Sequence, residues 1–486
     1  MTIKNLGIND MMDDRDGFGK AGLIAYLAVV FITGLFFSFK NTPLTGLDER
    51  FHFFRSYQIS QGGILAHKIN GEDGTWGGCV SDKALQYVWP FFISQDQNKP
   101  ASKAEAKQRA ESIDASDNSH NTCFNFAPSA AYSPLLYMPS AIGIAASRAI
   151  GMGIDGQMYT GRIANLIIYV AMVFLAVSLM PVMKLPTLFI LSFPTLINLA
   201  SSYSPDPVTN SVTAIFIACC LRMAILREGL FWQVFFLSGL VGLLKITNVA
   251  FLPFLMLIPL TVFSSSKKGI LFIGGSMAFG LLVGAAWNIH YAWIPSQFWH
   301  SGGDAKAAMS MLKSEPVATV AFLLKSVWIQ TPDMFNRMFA TFGGGPQLFT
   351  WTIGGPYCRM AIMLIVASAF LSLPKKKIEI SIARIALLPI MSIGSVVLIF
   401  AALWIGFSPL NLGIVAGVQG RYFATSLLTL VIFIGLILSY SSSATRLANS
   451  NQSSKSTVCN IVALVYLMLI TYVCYQSVMR YLPLYI

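Results

Sequence analysis

Ala21 to Ser38 reads AGLIAYLAVVFITGLFFS, eighteen residues without a charge, and shortly after it Leu47 to Gln58 reads LDERFHFFRSYQ. A bilayer core about 30 Å thick is crossed by about 20 apolar helical residues, so the first stretch predicts a membrane helix. Lys4, Arg15 and Lys20 precede it beside Asp10, Asp13, Asp14 and Asp16, and no small-residue cleavage site follows. This predicts an uncleaved first span, with 1–20 as a cytoplasmic N-terminus and 21–486 as a membrane domain.

Similar runs recur at Arg162–Met180, Pro186–Ala200, Val208–Leu226, Leu230–Leu244, Val249–Phe263, Gly269–Trp287, Cys358–Leu373, Ile385–Trp404, Phe423–Tyr440 and Val458–Tyr475, eleven in all with the first. Of 486 residues, 55% are hydrophobic and only 11% charged, with a mean hydropathy of +0.64. Charge that sparse cannot coat a globule of this size, which excludes a soluble protein. The expected class is an all-α polytopic membrane protein, a bundle of about eleven transmembrane helices. Its net charge of +12 forms no Lys/Arg stripe interleaved with aromatics, so no nucleic-acid partner is expected.

Placing the N-terminus in the cytoplasm puts fourteen Lys and Arg on the inner side and three, Lys245, Arg421 and Arg480, in short outer turns and the tail. Positive charge stays inside in short loops, so this orientation is expected. Pro134–Ile150 and Val317–Trp328 are apolar enough to test it. Both are read as interfacial helices on the outer side, since a crossing by the first alone would invert the charge bias.

Two long outer loops result, 41–161 and 288–357. The first holds 11 of the 21 acids: Asp48, Glu49, Glu72, Asp73, Asp82, Asp96, Glu105, Glu111, Asp114, Asp117 and Asp155. Within it Gln95–Asn121 is polar and reads as an insertion, with a solvent-exposed helix over Ala101–Ile113. Cys79 and Cys123 flank it on the oxidising side and are a disulfide candidate, two free buried thiols being the other reading. The remaining cysteines, within or beside apolar runs, read as packing residues.

No phosphate loop, HExxH, GxSxG or dinucleotide fingerprint is present. An outward-facing enzyme without a nucleotide-binding domain needs its transferable group delivered on lipid. Three features carry candidate chemistry. The Asp48–Glu49 pair sits at the membrane surface, where reduced hydration raises a carboxylate's pKa and base strength. If the helix starts at Asp48, then Asp48, His52 and Arg55 share a face and Glu49 points elsewhere, one carboxylate facing the reaction and the other holding structure. The same segment also reads as an interfacial helix capped by Asp48. Asp206, in Ser204-Pro205-Asp206-Pro207, is the only acid in a short outer turn; it either faces a site above the bundle or caps the helix near Val208. Lys245 interrupts a long apolar stretch, and Arg421 starts an outer helix end. Two such cations suit a lipid phosphate. His290, His300 and Asp304 match no helical ligand spacing, so no metal is indicated. Trp287, Trp293, Trp299, Trp328 and Trp351 read as an outer aromatic belt, some of which can line a sugar site.

An Asp-Glu pair after the first helix, a large outer loop ending in Tyr132-Ser133-Pro134-Leu135-Leu136-Tyr137, an acid between the third and fourth helices and a lysine in the next outer turn resemble the C-type (GT-C) membrane glycosyltransferase fold. Size and layout are also similar to the serotype-converting O-antigen glucosyltransferases of temperate phages. The resemblance implies transfer of a sugar, glucose in those relatives, from undecaprenyl phosphate to a cell-surface polysaccharide such as lipopolysaccharide O-antigen. The reaction would lie at the periplasmic face of the bacterial inner membrane and proceed by inverting displacement. It implies Asp48 as general base with Glu49 as partner or alternative base, Asp206 orienting acceptor or donor sugar, and Lys245 and Arg421 holding the phosphate; His52, Arg55, Tyr57 and Tyr422 beside them are further substrate-binding candidates. No cofactor is implied. The competing class is a transporter or flippase of a lipid-linked saccharide, which needs a polar route and, in many folds, paired inverted repeats.

Overall fold

The computed structural model describes residues 18–41, 43–44, 46–69, 75–88, 103–115, 120–291, 303–343, 351–374, 378–441 and 452–485. The acids Glu72, Asp73, Asp96 and Asp117, the cations Lys4, Arg15, Lys375, Lys376, Lys377 and Arg446, and His300, Trp293 and Trp299 lie outside them, as do the side chains of His290 and Trp351.

The protein is an all-α polytopic membrane protein with little sheet. Among the described residues seven helices are long and apolar enough to cross a membrane, or up to eight if one bent pair counts as a span. They are Lys20–Lys40 (α1), Ile154–Leu179, Asp206–Leu226, Ser266–Ile289, Ile382–Gly406, Gly420–Leu438 and Lys455–Met479. Four of the eleven expected spans are shorter. Pro186–Ala200 is two buried helices, Lys184–Leu191 and Pro194–Ala200, because Pro194 lacks the N–H that would continue the first. Leu230–Leu244 and Val249–Phe263 become a 13-residue α-helix, Phe231–Leu243, and a 3₁₀ run, Ile246–Leu257, with Pro253 inside it. They form the expected hairpin with Lys245 at the bend. Cys358–Leu373 becomes the 16-residue Pro356–Leu371.

Between α1 and Ile154 lies a small layer on one end of the bundle, called here the site end. It holds Glu49–Ser60 (α2), a three-stranded antiparallel sheet of His67–Lys68 (β1), Trp76–Ser81 (β2) and Asn121–Asn125 (β3), and Lys103–Asp114 (α3). Cys79 and Cys123 face each other in the β2–β3 register and are disulfide-bonded. The polar excursion is more integrated than an exposed insertion: Ala106, Ala110 and Ile113 are buried. Both Asp114 carboxylate oxygens accept the Ile154 N–H at 3.1 Å, capping the next long helix.

Pro134–Tyr137 is a 3₁₀ turn leading into Met138–Ala149 (α4). Its 12 residues span about 18 Å, short of a bilayer core. α4 packs on Ile154–Leu179 (α5) so closely that a Cβ on Gly143 would sit 2.5 Å from the Thr160 carbonyl oxygen. Val317–Trp328 belongs to a longer helix, Pro316–Ala340, bent 116° from Ala305–Ser314. Val317 and Trp328 on it are exposed, while its later residues meet the turn at Gly420.

Candidate active site

The start of α2 is built around a buried ion pair. Glu49 accepts from Arg162 Nε and Nη2, each at 2.7 Å, and from the Gly46 N–H at 2.9 Å. Arg162 Nη1 donates to the Ser38 and Asn41 carbonyls at 3.0 and 2.9 Å. These carbonyls lie at the C-terminal end of α1, where helix geometry leaves oxygens without intrahelical donors. Arg162 therefore joins α1, α2 and α5, and Glu49 is fully enclosed. Its expected role as base or catalytic partner is corrected: the carboxylate is committed to structure and does not line the cavity.

Asp48 precedes the helix with φ of 57°, a left-handed conformation that Asp tolerates better than most residues. It does not cap α2 through its side chain. Its carboxylate points away from Glu49 and accepts from Arg421 Nη2 at 2.6 Å, with the Asp48 side chain 48% exposed and that of Arg421 4%. Lost hydration raises the Asp48 carboxyl, but the Arg421 guanidinium and His52 more than reverse this, so it titrates below its ordinary value. The expectation of a raised pKa is thereby corrected, because the membrane-surface setting is outweighed by a cation in contact.

Asp206 is held by two cations. It opens Asp206–Leu221 (α6), with Pro205 as N-cap residue and Pro207 following, and caps nothing itself. Lys245 Nζ donates to Oδ1, and Arg421 Nε lies 3.0 Å from Oδ2. The turn before it is fixed by Asn165, whose Nδ2 donates to the Ala200, Ser202 and Ser204 carbonyls. Lys245 Nζ also lies 4.8 and 5.1 Å from the ring centroids of Tyr422 and Tyr132. Arg421 sits in the 3₁₀ turn Gly420–Phe423. Glycine is needed at 420, where a Cβ would come within 2.1 Å of the Met338 nitrogen. Besides Asp48, Arg421 Nη2 meets the Tyr422 hydroxyl at 3.3 Å. Its buried Nε and Nη1 make no hydrogen bond among the described residues.

Four residues far apart in sequence thus converge at a cavity of about 460 Å³, also lined by His52, Tyr132 and Trp287. His52 Nδ1 hydrogen-bonds the Tyr137 hydroxyl at 2.8 Å. Burial, only partly offset by Asp48, brings the imidazole down to about 4, so it is neutral near pH 7. Another part of the lining is largely apolar. Ser395, Ile399, Ala402, Leu403 and Gly406, on one face of Leu387–Gly406 (α7), run along it with Ile246 and Phe251.

Two expected site residues lie elsewhere. Arg55 is buried, donating to Gln58 Oε1 at 2.6 Å and to the Ile64 carbonyl at 2.9 Å. Tyr57 packs on Phe53, with Arg148 5.0 Å from its ring centroid. Both bind α2 to its surroundings and neither lines the cavity. Arg55 lies one turn further along α2 than His52, where Gln58 and the Ile64 carbonyl hold its guanidinium.

Residues missed in sequence include Arg162, which reads as an ordinary charge at a span's edge, and Asn210, Asn248 and Gln419, which line the cavity. Trp287 is at the cavity instead of only in an aromatic belt, its Nε1 donating to the Ala131 carbonyl at 2.9 Å. Asp304 caps the helix at Ala305, accepting from the Ala307 N–H. His67 lies near Cys79 and Cys123, but their sulfurs are bonded to each other.

Residues 31–431 match the family model DUF2142, described as a predicted membrane protein, and the chain belongs to that family. No curated protein and no solved structure matches the chain.

Proposed function

We propose that this DUF2142 protein is a glycosyltransferase that takes a sugar from a polyprenyl-phosphate donor and passes it to a cell-surface polysaccharide. In this reading the reaction lies on the periplasmic side of a bacterial inner membrane and the N-terminus is cytoplasmic. The observation that carries it is Arg421: a buried guanidinium at the cavity, its Nη1 without a hydrogen-bond partner among the described residues, in a cavity that is also lined by apolar residues. A buried cation with free donors suits an anion, and an apolar lining alongside suits an anion attached to hydrocarbon.

Chemistry follows from the same residues. The acceptor hydroxyl oxygen attacks the anomeric carbon on the face opposite the phosphate. A new carbon–oxygen bond forms as the bond to the phosphate oxygen breaks, and its electron pair leaves on the phosphate. The configuration inverts. The hydroxyl proton passes to Asp48, the half-exposed carboxylate at the cavity. Lys245 and Arg421 hold the leaving phosphate, a weak base that departs without a protonating acid. Tyr132 and Trp287 line the cavity and supply aromatic surface for a sugar. Asp206 keeps both cations in place and orients the sugar. Glucose and an O-antigen acceptor are the specific pair that the resemblance favours.

A transporter or flippase reading draws on one observation, the uncharged polar groups in and beside the cavity lining. Thr425 donates to Asn210, Asn248 to Thr213, and Ser395 pairs with Ser426. They satisfy one another and belong to packed helices, as polar glue does in membrane bundles. The test is transfer by purified protein from a radiolabelled polyprenyl-phosphate sugar. An enzyme moves the label to acceptor, and a transporter moves the intact donor across a vesicle without transfer.

A further inference from the structure

We infer that Asp48 is a resident counter-ion which the donor's phosphate displaces from Arg421, so that donor binding itself releases the base and the donor must bind before the acceptor. The inference rests on the glycosyl-transfer reading and adds to it an order of binding and a coupling between the two substrates.

The two acids at the cavity are held differently. Asp206 has a side chain 5% exposed and is gripped by Lys245 on one oxygen and Arg421 beside the other. It has nowhere to go. Asp48 is 48% exposed, has a single cationic partner at 2.6 Å, and sits just ahead of α2 instead of within it. A rotation of its side chain returns the carboxylate to the open cavity without disturbing a helix. An incoming anion that engages Arg421 therefore competes with Asp48, not with Asp206.

Charge supports the same order. Asp48 and Asp206 balance Lys245 and Arg421, with His52 neutral, so the empty cavity holds its cations already neutralised. A phosphate on Arg421 adds a negative charge beside a carboxylate that has just lost its partner. Both changes increase the affinity of Asp48 for a proton. The groups facing it are His52 on α2, Asp206 on α6, Lys245 at the hairpin bend, Arg421 and Tyr422 in the 3₁₀ turn, and Tyr132. Before the donor arrives Asp48 is a poor base, and after it a better one.

The test is binding of farnesyl phosphate to the full-length protein in detergent, read by tryptophan fluorescence and by calorimetry. Asp48→Asn and Asp48→Gly both remove the competitor, and glycine also suits the left-handed backbone. Because a half-exposed pair contributes modestly, each variant is expected to bind the probe about fivefold more tightly than wild type. Arg421→Gln is expected to lose binding. If Arg421→Gln loses binding while both Asp48 variants bind no better than wild type, displacement is overturned and the phosphate site stands. If Arg421→Gln binds as well as wild type, or wild type and the Asp48 variants all fail to bind, the phosphate site falls and displacement with it.

Discussion

Arg162 grips Glu49 through two parallel hydrogen bonds of 2.7 Å, and this clamp turns the neighbouring Asp48 the other way, into the cavity. One acid of the pair is locked into the architecture and the other is presented to the cavity. The division follows from geometry: the helix begins at Glu49, so its side chain is fixed by the turn, while Asp48 adopts a left-handed backbone ahead of it.

Removing one partner of that clamp leaves the other charged and enclosed. Arg162→Met or Glu49→Gln is expected to cost about 3–5 kcal/mol. Replacing both together should cost less than the sum. Thermal unfolding in detergent, followed by loss of monodisperse protein, reads the difference, and purely additive effects would contradict the assignment.

Asp48→Asn is nearly isosteric and keeps an oxygen that can accept from Arg421, and the pair it weakens is half exposed on the Asp48 side, so folding should persist. Loss of a positioned base is worth about 10²- to 10⁴-fold in rate. The thermal midpoint should move little while transfer falls by that factor. Equal loss of both would make Asp48 structural.

Acid should destabilise the protein through His52. In the unfolded chain the imidazole protonates near 6.5, in the fold only near 4. Its folded value is the lower one, so unfolding takes up a proton between the two. Stability is unaffected above pH 6.5 and falls as pH drops towards 4, by about 3 kcal/mol in all. The lowered Asp48 acts in the same sense further down, its ion pair lost as it protonates. Thermal midpoints against pH for wild type and His52→Gln should converge at neutral pH and separate below it. Parallel curves would refute the burial of a neutral imidazole.

Cys79 and Cys123 close a loop with a sequence separation of 44, for which the chain-entropy model gives about 4 kcal/mol. Maleimide should label neither in unreduced, denatured protein, and both after reduction. Labelling without reductant would remove the bridge. Separately, a reporter fused after Leu373 should read as cytoplasmic, because Lys375, Lys376 and Lys377 follow it and positive charge stays inside in short loops.

Much of the site was legible because charge is conspicuous in apolar sequence. Asp206, Lys245 and Arg421 stand out as isolated charges near span ends, and all three reach the cavity. Arg55 misled for the same reason, since a charge shows its presence in sequence but not its partner, here the carbonyl of Ile64. Arg162 is not legible in sequence because an arginine at a span's edge reads as the ordinary interface anchor. The apolar cavity wall was hidden because Ile399 and Leu403 read like any other lipid-facing or packed residues. The number of long helices fell because Pro194 and Pro253 break runs that hydropathy alone joins. The fold class survived these errors because it depends on total apolar length, not on where each helix stops.

The most direct measurement is label transfer from a radiolabelled polyprenyl-phosphate glucose to lipid-linked O-antigen by the purified protein, wild type beside Asp48→Asn. The account predicts labelled polysaccharide with wild type, and with the variant almost none despite retained binding of farnesyl phosphate. Undiminished transfer by Asp48→Asn, or no transfer by a wild-type protein that moves the intact donor between leaflets, would contradict it.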